Sequence, residues 1–394
     1  MLKTSKAKSI LKIKGANMLI LKNKKNQIYT DDPPTVSSLV NGCIGVQQSN
    51  KVFISSEEAM YLMDIRNAEC PVSFSKLMQR PAKYFGYKAW RDRGLHILDF
   101  KNPKVKEEIK KTKKKNLLRD YSLVKSKLPK TKTQGKFYKR DLMTVVDENI
   151  PEEIYYEYWF GQLGTYKTEH RGRYYYLDVY ETLYLIEKNK LKTKTEKESI
   201  IKTAKKRHKF FELMYNVYKD WRKKGFVLKT GFKFGSHFRL YFPGATPKQT
   251  GKEWMHSKNV IHVFPYKHKL LISEWSRAIR VAHSVRKTFI LGIPKHEKDK
   301  MKNVNLDYLV YHRKNKSVKK PGEDDPSYVM WCLSEEEYIG GAELAYALHE
   351  AKKLKLGLVL AIVDRETSVT FYRVIKIKLP QSKYEYYEIE WVQP

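Results

Sequence analysis

Apolar positions along the chain come in two rhythms, and the helical one repeats itself. Ser55-Ser-Glu-Glu-Ala-Met-Tyr-Leu62 and Asp178-Val-Tyr-Glu-Thr-Leu-Tyr-Leu185 each open on a helix-capping residue, carry Glu three positions later and place Tyr-Leu at the same offset. Such a cap and Glu satisfy each other's free backbone N–H groups, so both stretches predict a capped helix. Tyr87-Lys-Ala-Trp-Arg-Asp-Arg-Gly94 echoes Tyr218-Lys-Asp-Trp-Arg-Lys-Lys-Gly225, and both predict helices stopped by a C-terminal glycine. The first hundred residues therefore copy the unit at 140–225. The last third holds a second echo. Leu270–Ala282 lies over Ile339–Ala351, with Glu274, Ala278 and Ala282 on Glu343, Ala347 and Ala351. The run Phe289–Ile293 then falls on Leu358–Ile362. Each copy predicts a helix followed by a buried strand.

The other rhythm is short and β-forming. Phe226–Thr230 and His237–Phe242 predict two strands with a turn at Gly231–Gly235 between them, and Val260–Phe264 predicts a third, ended by Pro265. A helix over Ser273–Arg286 and a strand over Thr288–Ile293 follow. The expected fold class is α/β with mixed sheets, in several small domains. A non-catalytic half-unit is expected at 1–100 and a basic linker at 101–139, where Lys110-Lys-Thr-Lys-Lys-Lys115 leaves little to pack. An N-terminal domain is expected at 140–225, its partner domain at 226–305, and a second half-unit at 306–394.

Charge narrows the function. Lys plus Arg number 78 against 43 Asp plus Glu among 394 residues, a net charge of +35. An excess this large favours a polyanion through counterion release, with nucleic acid the first candidate. The three cysteines, Cys43, Cys70 and Cys332, are too few and too scattered for a disulfide framework or a CxxC zinc site. The longest apolar run, Leu356–Val363, is too short to span a bilayer. The basic N-terminus has no apolar core behind it, so no signal peptide is expected. A soluble cytoplasmic protein is the expectation.

The stretch 213–293 carries Lys229-Thr-Gly-Phe-Lys-Phe-Gly235, Phe238-Arg-Leu-Tyr241, His256-Ser257 and Arg280-Val-Ala-His-Ser-Val-Arg-Lys287. In order and spacing it resembles the catalytic unit of the archaeal and eukaryotic tRNA-intron endonucleases. That resemblance implies a three-unit fused chain that cuts precursor tRNA at bulge-helix-bulge junctions, leaving 2′,3′-cyclic phosphate and 5′-hydroxyl ends. It implies Tyr241 as base, His256 as acid and Lys287 as the cation beside phosphorus, with no metal and no cofactor. A free phenol titrates near ~10 and needs nearby cations to act as a base. Lys287, Arg286 or Arg280 are the expected sources. An imidazole titrates near ~6.5, which suits it to proton donation at neutrality.

The resemblance further implies that Arg280 stacks on an extruded base, with Arg313 a candidate for the second clamp residue. The third unit has Leu356 and Asp325 at the echoes of Lys287 and His256, so it is expected to be structural. Family members dock an acidic loop into a neighbouring basic pocket. Glu335, Glu336 and Glu337 are the expected docking residues of a homodimer. The basic stretch Gly164–Arg173 looks longer than in simpler members and reads equally as an RNA contact or a surface hairpin. Two rivals stand beside this reading. A metal-dependent DNA nuclease needs clustered carboxylates; Asp364 and Glu366 lie close in the third unit, but no D…ExK pattern accompanies them. A non-catalytic RNA-binding subunit is the other.

Overall fold

The computed structural model describes residues 18–113, 117–124, 128–130, 132–146, 152–166, 168, 171–248, 256–293 and 304–394. Ten strands of its largest sheet follow one another in one unbroken ladder. In chain order they are β1 (Ile97–Asp99), β2 (Val227–Thr230), β3 (Phe238–Tyr241), β4 (Asn259–Val263), β5 (Thr288–Ile293), β6 (Tyr308–Val310), β7 (Tyr328–Ser334), β8 (Gly357–Val363), β9 (Val369–Lys378) and β10 (Glu385–Val392). Around the sheets pack α1 (Ser56–Arg66), α2 (Pro81–Arg91), α3 (Val179–Glu187), α4 (Phe211–Arg222), α5 (Ile272–Ser284) and α6 (Gly341–Lys353).

The strand order is β2-β3-β4-β5-β10-β9-β8-β7-β6-β1. From either edge the neighbours pair antiparallel, antiparallel, parallel and antiparallel, until β9 and β10 meet antiparallel at the centre. The sheet is thus an approximate two-fold object made by one chain. The registers agree with this: Leu291 faces Tyr387 across β5–β10 as Leu360 faces Tyr372 across β8–β9. The strand that closes the middle unit therefore comes from the end of the chain, across the expected boundary at 305.

The expected repeats are physical copies. Ser55 with Glu58, and Asp178 with Glu181, form reciprocal capping boxes. The buried carboxylates of Glu58 and Glu181 also accept the backbone N–H of Gly45 and Gly161, at 2.9 and 2.8 Å. Both glycines have left-handed φ, +74° and +64°, and an added Cβ would strike backbone oxygen, so these turns need glycine. Trp90 and Trp221 are fully buried at matching positions on α2 and α4.

Structure corrects the linker expected at 101–139. Strand Leu118–Asp120 pairs with β9, and Thr133–Tyr138 belongs to the five-stranded sheet of the middle unit's N-terminal domain. Buried Tyr121 donates to Glu388 at 2.7 Å and accepts from Asn259 at 2.6 Å. Lysine density hid these few anchoring residues; Lys114 and Lys115 lie outside the described residues. The two half-units also form one body. β1 pairs with β6, and Arg80 bridges to Asp307 at 2.7 Å while donating to the Cys332 carbonyl at 3.0 Å.

Candidate active site

Tyr241 ends β3, held opposite Val227 of β2, with its ring 4.7 Å from that of Trp159. Lys287 sits at the sharp exit from α5, where Arg286 adopts left-handed φ of +55° and the Lys287 N–H returns to the Ala282 carbonyl. His256 is exposed and Ser257 buried just ahead of β4, which runs parallel to β5. The antiparallel β3–β4 pair and the single β4–α5–β5 crossover thus bring Tyr241, His256 and Lys287 into the walls of one cleft of about 420 Å³.

The cleft's electrostatics come from residues that lie inside the same motifs but carried no expected role. Arg239 Nη1 donates to the Tyr241 hydroxyl at 3.2 Å. Burial pushes the Tyr241 phenol above its ordinary value, while the Arg239 guanidinium and the Ser257 hydroxyl act the other way. The cation beside the phenol is therefore Arg239, where Lys287, Arg286 or Arg280 were expected. Strand alternation held the signal, because residues 239 and 241 share a face. The Lys287 ammonium instead donates to the Ser257 carbonyl and, at 3.0 Å, to its hydroxyl, and stands 5.0 Å over the Phe234 ring.

Below them lies a buried ion pair. Lys229 donates to Glu181 and to the Gly161 carbonyl, both at 2.7 Å. Burial pulls the Lys229 ammonium below its usual value, and Glu181 opposes that pull. This pair ties β2 to the capped start of α3 and fixes the cleft floor to both domains of the unit. Tyr166 lines the mouth, its hydroxyl accepting from Arg239 at 3.3 Å and its ring under Lys233 at 5.0 Å. Of the basic stretch Gly164–Arg173, Lys167, Glu169 and His170 lie outside the described residues.

The remaining candidates lie elsewhere. Arg280 is exposed on α5 beside Tyr372, whose phenol it acts to lower against burial. Arg313 sits on the hairpin Arg313–Lys314 with Ser317–Val318 and donates to the Arg93 carbonyl at 2.8 Å, in the non-catalytic unit. Neither residue lines the cleft. At the echo positions, Leu356 is buried and Asp325 pairs with Lys319 at 2.6 Å. The acidic turn does meet the middle unit, but within its own chain and by backbone: the carbonyls of Glu335 and Glu337 accept from Ser273 and Ile272. The Glu335 and Glu336 carboxylates bond Arg365, and Glu337 accepts from the Ser334 N–H. Among the described residues no group of three or more His, Cys, Asp or Glu is placed to hold a metal, and no helix is long and apolar enough to cross a membrane.

A phenol, an imidazole and an amine around one open basic cleft make a general acid–base site suited to phosphodiester chemistry. The comparisons with known proteins name the family. The tRNA intron endonuclease catalytic C-terminal domain matches residues 211–306, and the tRNA intron endonuclease N-terminal domain matches 136–205. A tRNA-splicing endonuclease of Thermococcus kodakarensis is 32% identical over 164 residues, covering 40% of this chain and 89% of the relative. One of Methanopyrus kandleri is 36% identical over 132 residues, covering 32% and 69%. One of Methanococcoides burtonii is 30% identical over 202 residues, half of each chain. This chain belongs to the tRNA intron endonuclease family.

Proposed function

We propose that this tRNA-splicing endonuclease cuts precursor tRNA at bulge-helix-bulge intron junctions by metal-free general acid–base transesterification. The observation that carries the reading is the shared cleft of Tyr241, His256 and Lys287, with Arg239 on the phenol. The ribose 2′-oxygen gives its proton to the ionised Tyr241 oxygen and bonds to phosphorus. The bond from phosphorus to the 5′-oxygen breaks, and that oxygen takes a proton from the His256 imidazolium. Lys287 stands against the charge gathering on the phosphoryl oxygens, held in place by Ser257. The products are a 2′,3′-cyclic phosphate and a 5′-hydroxyl. Two chains would pair through the turn at Glu335, Glu336 and Glu337, giving two clefts per assembly. Arg280 would grip an extruded base; Arg313, bonded to Arg93, has the weaker support as its partner.

The test is cleavage of a bulged precursor RNA in EDTA with end analysis of the products. Cutting should persist, and His256→Ala should abolish it while keeping RNA binding. Products with a 5′-phosphate would overturn the mechanism.

A further inference from the structure

The two-fold arrangement of the sheet also relates its two long helices. With Glu274 laid on Glu343, Ile279, Arg280 and His283 of α5 fall on Leu348, His349 and Lys352 of α6. The strands follow the same relation: Trp391 stands opposite Tyr372, and Lys376 opposite Tyr387. On the α6 side this surface closes into a cavity of about 620 Å³, walled by Leu118, Leu348, Leu356, Leu358, Val374 and Tyr387. Its mouth holds His349, Lys352, Lys355 and Lys376. The acid among its lining residues, Glu385, accepts from Lys376 at 3.1 Å and from the Tyr387 hydroxyl at 2.5 Å. Lys352, Lys355 and His349 are exposed at the rim.

We propose that this cavity, in the unit that lacks the catalytic groups, binds an unpaired nucleotide of the RNA substrate. The proposal rests on reading the chain as an RNA-cutting enzyme. An apolar slot with a tyrosine in its wall suits a base, which is flat and poorly hydrated on its faces. Lysines at the mouth suit the phosphates that the slot itself must exclude. The volume lies within the range of small-ligand pockets, roughly 300–1,000 Å³, enough for a base with its sugar. The middle unit would then cut while its two-fold partner holds a strand of the same RNA.

The test titrates fluorescein-labelled single-stranded tetra-adenylate into the full-length His256→Ala protein. Lys352→Glu with Lys355→Glu should weaken binding about tenfold, and Leu348→Trp, which fills the slot without changing charge, about fivefold. The same double reversal at Lys202 and Lys206, exposed on the helix Lys197–Arg207, controls for bulk charge and should weaken it less than about threefold. With His256 restored, the cavity variants should raise KM for precursor RNA and leave kcat unchanged. Equal weakening at the control pair, or unchanged binding by Leu348→Trp in a folded protein, would overturn the pocket. Continued cutting by His256→Ala would instead overturn the active site, so the two failures are distinct.

Discussion

Arg239→Gln isolates the electrostatics of Tyr241, the proposed base. The guanidinium lies 3.2 Å from the Tyr241 hydroxyl, and the tyrosine is 4% exposed. A cation this close to a buried acid favours its ionised form. Arg239 is half-exposed, so solvent screens part of that pull. Removing the charge lets burial push the phenol higher still. At neutral pH the ionised fraction of Tyr241 should fall, and the stronger basicity of what remains recovers part, leaving a rate about 3–10-fold lower. The deficit should stay nearly constant up to about pH 9.5, because burial holds the phenol above its ordinary value in both proteins and their ionised fractions rise together. Single-turnover cleavage of a bulged RNA from pH 6 to about pH 9.5 measures this directly. An undiminished single-turnover rate, with the defect confined to KM, would refute the reasoning and move Arg239 onto the substrate phosphate.

Lys229→Met leaves Glu181 buried without its ammonium and should lower unfolding stability by roughly 3–5 kcal/mol, with Glu181→Gln restoring part of it; a urea midpoint shift worth under about 1 kcal/mol would refute the pair's role. His237 and His262 lie ring to ring at 4.3 Å, and burial holds both imidazoles well below their ordinary value, His262 at about 4. The unfolded chain takes protons first, so this stability is present above about pH 6.5 and is lost as pH falls toward 4, roughly 3 kcal/mol for His262 alone; His262→Phe should flatten the acid limb of a melting-temperature profile, and an unchanged limb would exclude the pair. Replacing Glu335, Glu336 and Glu337 with Ala should halve the assembly mass by light scattering; unchanged mass would confine those carboxylates to Arg365 and their own turn. A chain ending at residue 384 keeps every catalytic group yet should lose cleavage and solubility, because β5 loses the neighbour that buries Phe289 and Leu291; an active truncate would refute the dependence on β10.

What was legible in the sequence is what local chemistry encodes. Tyr241, His256 and Lys287 stood out because each sits in a short motif, and the capping boxes at Ser55 and Asp178 because their partners lie three residues away. Arg239 was legible in principle, since alternation puts it on the face of Tyr241, but a motif match draws the eye to the reacting groups. Tyr121 could not be read from its surroundings. Its partners Glu388 and Asn259 are 267 and 138 residues distant, and the lysines around it mimic a solvated linker. The place of Glu385–Val392 was hidden for a related reason: its alternation says strand, but nothing local says which strand it joins.

That last strand ties the two units to each other. β5 begins directly after Lys287, and its outer neighbour is β10, which is paired in turn to β9 of the other unit. The middle unit cannot complete its sheet until Glu385–Val392 has joined it. The outer unit cannot form until residues before and after the middle unit have met, at β1–β6 and at the Arg80–Asp307 bridge. Each unit thus holds a piece the other needs, and the two fold as one object. In such an object the position where Lys287 holds Ser257 in the middle unit is free to be filled with apolar packing in the outer one, by Leu356. The two-fold relation needs only the strand registers, which constrain backbone pairing and leave the side chains around the cleft of Tyr241, His256 and Lys287 unconstrained by it.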